Sequence, residues 1–242
     1  MRQVVSPPPI IPSPRPSNPT ALELAIHRFE EQANAYHYEK TKLAKATGQP
    51  SEIAKARAKL DRDWQHLQRE RLRISTQAGL QRSLEDYRKA SKQKTKDELQ
   101  AEPHHPARVL ARHLTAVGEP KPSRDHDPHH IIAGKGRFMP EAMEQARLGL
   151  HMHGIGINDA INGVWLPRSK ADKGHWATPE SPAHREIHRH NYEMWIWRLF
   201  GATLLPENVV RQRLRVVKLK LRLGGYPSEI VQPKDPQRSG NS

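Results

Sequence analysis

Four histidines in the second half of the chain have the residue types and spacing for metal-assisted hydrolysis. His129 and His130 are adjacent and precede two isoleucines, and His184 and His188 stand four residues apart. Imidazole is a common ligand of transition metals, and a neutral imidazole readily takes a proton from water near pH 7. Four imidazoles that converge on one ion and one water suit the hydrolysis of a phosphodiester bond.

The spacing assigns these histidines to two roles. We expect His184 and His188 to lie one turn apart on one face of a helix, where both can reach the same ion. Neighbouring residues of a strand point to opposite faces, so one of His129 and His130 would complete a three-histidine shell and the other would act as general base. Three protein ligands leave one coordination position open for water or a phosphate oxygen.

A third element is Asn162-Gly163, a dipeptide that favours a tight hairpin turn. Two interpretations are open: a turn with no further role, or an asparagine that holds the loop orienting the catalytic histidine. Two other chemistries fit poorly. The zinc-protease pattern needs a glutamate directly after its first histidine, where Arg185 stands. The chain has no cysteine, which excludes thiolate metal sites and zinc nucleobase deaminases.

The composition points to a polyanionic partner. The 242 residues carry a formal net charge of +14, which favours nucleic acid first. Hydrophobic residues make up only 35% of the chain, so one core running through all of it is not expected. No apolar run is long enough for a membrane span, and the Pro-rich start lacks the apolar segment of a secretory signal. We therefore expect synthesis in the cytoplasm and export by a dedicated secretion system.

Apolar residues recur at helical spacing in the first half of the chain. One series runs from Leu22 to Leu43, a Gly-Gln-Pro break follows at residues 48–50, and a second series runs from Ile53 to Ile74. This pattern predicts an antiparallel helical hairpin with a narrow apolar seam, followed by a third, more polar helix over residues 80–100. Both a solvated spacer and a specific binding surface fit this pattern.

The second half alternates short strands and helices that would position the histidines. We predict a helix over residues 107–117, a strand with the histidine pair over 128–133, a helix over 140–153, a strand over 164–166 and a helix over 182–200. The basic stretch after Pro206 fits a helix better than a strand. Its cations either contact phosphates or face solvent.

Several stretches of the second half together resemble a known family. They are residues 110–120, 129–134, 146–150 and 154–168, then His184 and His188 followed by Tyr192 and Arg198-Leu199. In order and spacing, residues 106–205 resemble the AHH family of toxin nucleases, within the HNH or ββα-metal superfamily. Pro128 stands where the family usually has alanine, which lies outside the reacting groups.

The resemblance implies an α+β fold with a ββα-metal, HNH-type nuclease domain. A β-hairpin with the histidine pair and the asparagine would pack on a helix that supplies further ligands. We divide the chain into a Pro-rich disordered tail (1–19), an α-helical delivery or spacer region (20–100), the nuclease domain (106–205) and a basic C-terminal extension (206–242).

The resemblance also implies roles for single residues. His129, His184 and His188 would bind a divalent metal ion (Zn, Mg, Mn or Ni), His130 would be the general base, and Asn162 would hold the hairpin loop and the orientation of His130. Four cations in loops near the site are expected to contact phosphates: Lys135, Arg137, Arg168 and Lys173. The remaining histidines of this region are candidate substitute ligands: His151, His153, His175 and His190. The pair His104-His105 is expected to lie in a linker.

Nucleases of this kind cut DNA with little sequence preference, as phosphate-dominated binding would produce. The expected function is a metal-dependent endonuclease that hydrolyses DNA phosphodiester bonds as a secreted antibacterial or polymorphic toxin effector in the target-cell cytoplasm. The expected partners are DNA, a cognate immunity protein, and secretion machinery that binds the N-terminal region. Two alternatives remain: a non-catalytic histidine–metal module that binds nucleic acid, and a nuclease that prefers RNA.

Overall fold

The computed structural model describes residues 14–15, 17–104, 107–201 and 204–234. The predicted Pro-rich tail lies largely outside the described residues, as do His105 and the end of the predicted C-terminal extension. The chain forms two compact units, one up to Gly79 and one from Leu80 onward. In the described part of the chain, no helix has the length and apolarity needed to cross a bilayer.

The first unit contains helix α1, Ala21–Ala44, and the beginning of helix α2, Pro50–Gln93. Thr20 starts α1 with a capping box, in which its side chain accepts from the Glu23 N–H while the Glu23 carboxylate accepts from the Thr20 N–H. Tyr36 stacks on Trp64 between the two helices, with ring centroids 5.7 Å apart. The buried seam is narrow, as the spacing predicts.

Helix α2 is longer than the sequence predicts. It continues without a break through Gly79 and ends at Gln93, so it includes most of the stretch predicted as a separate third helix. One glycine costs a helix only about 1 kcal/mol, and no proline follows to stop it. A second capping box, formed by Thr95 and Glu98, then starts the short helix α3, Lys96–Gln100.

The second unit is a helix-rich α+β structure around a two-stranded antiparallel sheet. Its further elements are α4 (Arg108–Ala116), β1 (His126–His130), α5 (Pro140–His151), β2 (Gly163–Pro167), α6 (His190–Phe200) and α7 (Glu207–Leu223). Pro140 occupies the first turn of α5, where its missing N–H costs nothing. Gly224, at φ +82°, ends α7 in the left-handed region. The helix favoured after Pro206 is therefore confirmed.

The register of the sheet separates the two histidines of β1. His129 pairs with Val164 and His130 pairs with Gly163, and paired residues share a face. Val164 belongs to the larger hydrophobic core with α5, α6 and α7, whereas Trp165 packs in a smaller core with α4. His130 therefore faces the α4 side. Gly163 leaves room there for Leu110, because a Cβ at this position would lie 2.6 Å from a methyl carbon of Leu110 and would force that side chain to shift.

Three local predictions are wrong. β1 ends at His130 rather than at residue 133. Asn162-Gly163 is not a hairpin turn, because β1 and β2 are joined by a long segment that contains α5, and Asn162 ends a 3-10 turn before β2. The helix predicted over 182–200 begins only at His190. Ahead of it, the Glu186 carboxylate accepts from the Ala183 N–H and closes a separate 3-10 turn.

Candidate metal centre and general base

Three histidines form a group that can hold a metal ion. Among the described residues, the ring nitrogens of His129, His184 and His188 come within 4.8 Å of one another. The Nε2 atoms of His184 and His188 are 3.0 Å apart. Two nitrogens that bind the same zinc ion at about 2.0–2.1 Å with tetrahedral geometry stand about 3.3 Å from each other, close to this separation. The residues present therefore fit a divalent ion with three imidazole ligands.

His184 and His188 reach this group without sharing a helix, contrary to the prediction from their spacing. His184 lies in the 3-10 turn His184–Glu186, and His188 follows it before α6 begins. Asp127, on the same face of β1 as His129, has a carboxylate oxygen 3.9 Å from Nδ1 of His184. The spacing thus predicts that His184 and His188 lie close together, but a tight 3-10 turn rather than a helix brings them together.

His129 is oriented by Tyr192 of α6. The Tyr192 hydroxyl donates to the Ile131 carbonyl at 2.8 Å and lies 2.9 Å from Nε2 of His129. Because the hydroxyl proton is already used, Nε2 of His129 donates, and the lone pair of the neutral ring is on Nδ1. Burial lowers the pKa of His129 well below its ordinary value, and the nearby imidazoles of His184 and His188 lower it further. A neutral ring held in one tautomer is the form that binds a metal ion.

His130 is only 7% exposed and has Asn158 as its partner. Its Nε2 lies 3.0 Å from Asn158 Oδ1, while the Asn158 amide nitrogen donates to Glu102 at 2.7 Å and to the Pro103 carbonyl at 3.0 Å. Because an amide oxygen only accepts, Nε2 of His130 donates, and Nδ1 carries the lone pair of the neutral ring. This tautomer can take a proton at Nδ1.

The Asn162 side chain forms hydrogen bonds to the backbone of Ile132 and Ile157 rather than to the imidazole of His130. Its Oδ1 accepts from the Ile132 N–H, and its amide nitrogen donates to the carbonyls of Ile132 and Ile157. The Asn162 carbonyl also accepts from the Ile131 N–H. These bonds fix the chain just after His130. The direct partner of His130, Asn158, was missed because the stretch 154–163 contains two asparagines that the sequence alone does not distinguish.

The four cations predicted to contact phosphates are not equivalent. Arg168 donates to both carboxylate oxygens of Asp127, at 3.1 and 3.2 Å. Burial alone would raise the pKa of Asp127, but its bonds to Arg168 lower the pKa overall. Lys173 lies 3.6 Å from Glu186, whereas Lys135 and Arg137 are exposed on the loop after β1. The loop after β1 thus presents two cations to solvent.

The other histidines of the region lie outside the three-histidine group, and the buried Nδ1 of His190 has no hydrogen-bond partner among the described residues. His151 and His153 contact the backbone carbonyls of Ile155 and Leu205, and the rings of His175 and His126 lie 4.9 Å apart. The side chain of His104 lies next to His130, with ring centroids 6.3 Å apart. Within the described ranges, none of them joins the three-histidine group.

Comparison with known proteins matches part of the chain to a nuclease family. Residues 110–218 match a nuclease family of the HNH/ENDO VII superfamily with a conserved AHH sequence. The matched segment includes both strands, the three clustered histidines and His130, and Pro128 takes the place of the alanine. No curated protein and no solved structure matches the chain significantly. Residues 110–218 are therefore similar to the AHH nuclease family.

Proposed function

We propose that this protein is a metal-dependent endonuclease that hydrolyses the phosphodiester bonds of DNA. The observation that carries the proposal is the placement of two different groups on the two faces of β1. One face has the three-histidine group, and the other face has the hydrogen-bonded imidazole of His130, whose lone pair is on Nδ1. His129, His184 and His188 would hold a divalent ion, which would stabilise negative charge on the phosphate and on the departing oxygen. Zn, Mg, Mn and Ni are the candidates.

His130 would generate the nucleophile. Nδ1 takes a proton from a water molecule while the water oxygen forms its bond to phosphorus. The phosphorus–O3′ bond then breaks, and the 3′ oxygen leaves with its electron pair and takes a proton from solvent. Asn158 holds the imidazole in the tautomer that can accept the proton, and Asn162 fixes the backbone beside it.

The charge of the chain supports a polyanionic substrate. A formal net charge of +14 attracts phosphates irrespective of sequence, so we propose DNA as the substrate, cleaved with little base preference. Lys135 and Arg137, exposed beside the site, are the proposed phosphate contacts, with Arg168 and Lys173 held by carboxylates nearby. RNA carries the same phosphates and is the alternative substrate.

A purely structural metal module is the other alternative, and the placement of His130 argues against it. A closed four-histidine shell needs His130 as the fourth ligand, whereas Nε2 of His130 is bonded to Asn158 on the opposite face of the strand. Three histidine ligands leave a position open, which is the arrangement of catalytic metal sites.

We further propose that the nuclease acts as a secreted antibacterial or polymorphic toxin effector. Its producer would be protected by a cognate immunity protein, and the helical N-terminal region would engage secretion machinery. This part of the proposal rests on the expectation drawn from toxin nucleases of the family. Growth of cells that express the chain, with and without the gene next to its own, tests it: no toxicity would contradict the proposal.

Digestion of plasmid DNA and of a matched RNA by the purified chain tests the enzymatic proposal. We expect nicking and linearisation of the plasmid, loss of cleavage with a chelator, and recovery when Zn, Mg, Mn or Ni is added back. Cleavage of RNA but not DNA would correct the substrate. Binding of both nucleic acids without cleavage in any metal would contradict the proposal.

A further inference from the structure

We infer that Tyr87 and Glu102 position Asn158 and, through it, the imidazole of His130. Both residues precede the family-matched segment, which begins at residue 110. The inference rests on the proposed role of His130 as base, and it extends the catalytic unit beyond the residues by which the family is defined.

Each polar group of Asn158 has a partner. The backbone N–H donates to the Tyr87 hydroxyl at 3.0 Å, and the backbone carbonyl accepts from Nδ1 of His113 at 2.7 Å. The side chain joins His130 on one side to Glu102 on the other. Asn158 is 2% exposed, so a rotation of its amide would set donor against donor or acceptor against acceptor in a buried site.

Glu102 and the Pro103 carbonyl distinguish the two ends of that amide, because both accept from Asn158 Nδ2. Its carboxylate accepts from Asn158 Nδ2 at 2.7 Å and from the Tyr87 hydroxyl at 2.9 Å. Burial raises the pKa of Tyr87 and the adjacent carboxylate raises it further, so the hydroxyl stays protonated and donates. Since a carboxylate only accepts, Glu102 holds Nδ2 on its side and leaves Oδ1 for His130.

The last turns of α2 hold Tyr87 in place. Arg88 donates to both oxygens of Asp159, at 2.8 and 2.9 Å, and Leu84 packs in the smaller core beside α4. Gly156 allows the close approach, because a Cβ at this position would lie 2.0 Å from the Tyr87 hydroxyl oxygen. The helix that supplies the positioning residue is thus fixed against the loop that carries Asn158.

Loss of Glu102 would weaken the preference for one amide orientation, because the Pro103 carbonyl alone would then accept from Asn158 Nδ2 on that side. A rotated Asn158 would present Nδ2 to Nε2 of His130, which favours the tautomer with hydrogen on Nδ1. That tautomer cannot take a proton at Nδ1. We expect Glu102→Ala to lower kcat about 10-fold, the lower end of the range typical of partners that orient a reactive side chain. KM should change little, because neither Glu102 nor Asn158 is placed among the proposed phosphate contacts.

The conservative variant separates positioning from folding. Glu102→Gln keeps an oxygen that can accept from Asn158 Nδ2, so we expect it to recover most of kcat. Asp86→Ala removes an exposed carboxylate next to Tyr87 on α2. It serves as the matched control, and we expect its kcat to equal that of the wild type. Zinc affinity should be unchanged in all three, because the three-histidine group lies on the other face of β1.

Long-range ¹H–¹⁵N spectra of the imidazole rings, with His130 assigned from His130→Ala, read the tautomer directly. We expect Nε2 of His130 to be protonated in the full-length wild type and in Glu102→Gln, and a tautomer mixture in Glu102→Ala. A wild-type tautomer together with wild-type kcat in Glu102→Ala would overturn the inference. If the wild type showed no metal-dependent cleavage, the proposed function would fail, while the tautomer in Glu102→Ala would still decide this inference.

Discussion

His129 and His130 adjoin in the chain, but their hydrogen-bond partners give them different chemistry. Tyr192 accepts from His129 on the side of the metal group, whereas Asn158 accepts from His130 on the side of α4. In each neutral ring Nε2 is the donor and Nδ1 keeps the lone pair. One ring is thus prepared to bind a cation and the other to take a proton.

Tyr192→Phe should weaken metal binding about 10- to 100-fold. The variant removes the acceptor of the His129 Nε2–H, so the ring loses the bond that fixes its tautomer. It also leaves the Ile131 carbonyl without its hydroxyl donor. Competition of zinc with a chromophoric chelator measures the affinity. Tyr38→Phe, an exposed tyrosine of α1, is the control, and equal affinities in the two variants would count against the role of Tyr192.

His151 should make the second unit sensitive to acid. Burial lowers its pKa from 6.5 to about 4 in the folded state. The unfolded chain therefore binds the proton first, so the stability contribution is complete above pH 6.5 and is lost as the pH falls from 6.5 through 4. The loss is on the order of 3 kcal/mol. His151→Leu should show a smaller fall in the free energy of unfolding between pH 7 and 4, measured by urea titration. An identical fall in both proteins would refute this assignment.

The sequence predicts which histidine rings come together better than it predicts their hydrogen-bond partners. The adjacent histidines and the His184–His188 spacing identify ring types that could converge, because strand alternation and chain proximity are local properties. Asn158, Glu102 and Tyr87 come together only in the folded chain, since 71 residues separate Tyr87 from Asn158. No local pattern indicates such a contact.

At the scale of elements, the end of α2 is a structural part of the second unit. Residues predicted as a separate polar helix instead continue α2 and carry Leu84, Tyr87 and Arg88 into contact with the later loops. The polar sequence of this segment does not predict that it packs in the second unit. Two of its contacts are hydrogen bonds of the Tyr87 hydroxyl and the Arg88 guanidinium rather than contacts of an apolar face. The sequence does not predict the 3-10 turn at His184–Glu186 for a similar reason, because a hydrogen bond from the Ala183 N–H to the Glu186 carboxylate closes it.

Arg88→Ala should destabilise the second unit by roughly 2–3 kcal/mol. The Asp159 side chain is 4% exposed, so removal of Arg88 leaves a buried carboxylate without its bidentate partner; partial exposure of Arg88 keeps the loss below that of a fully buried pair. Urea denaturation followed by tryptophan fluorescence measures the loss. Arg82→Ala, an exposed arginine of the same helix, is the control. A stability equal to that of the control would show that the ion pair contributes nothing.

The ion pair of Arg88 and Asp159 should also make the free energy of unfolding depend on pH. Burial alone would raise the pKa of Asp159, but the bonds from Arg88 and from the Ile161 N–H lower it overall. Its contribution is therefore complete above the ordinary carboxylate pKa and is lost as the pH falls from that value through the lowered pKa of the folded state. The difference between Arg88→Ala and the wild type should shrink in strong acid, measured by the same titrations at pH 7 and pH 3. A constant difference would contradict the assignment.

At the scale of the molecule, the sequence predicts the α+β class and the excess of positive charge. It does not predict how far the family-matched unit extends. Helix α7, assigned from sequence to an extension, buries Val210, Leu214 and Val217 in the larger core. Arginine and lysine side chains alternate with apolar ones along this helix, and every third or fourth residue supplies the buried face.

Binding of DNA by the whole chain should depend steeply on salt. His130→Ala with a chelator prevents cleavage while affinity for a fluorescent duplex is measured by anisotropy. If about four phosphates are neutralised, the affinity should fall about 100-fold between 50 and 200 mM salt, because counterions are released on binding. An affinity independent of salt would contradict a phosphate-dominated interface.

The central claim is that one face of β1 binds the metal and the other carries the base. Cleavage rate and metal content measured together on His130→Ala and His129→Ala test it most directly. We predict that His130→Ala keeps one equivalent of bound metal and loses at least about 100-fold in rate, while His129→Ala loses both metal and activity. Full cleavage by His130→Ala, or loss of its metal, would contradict the account.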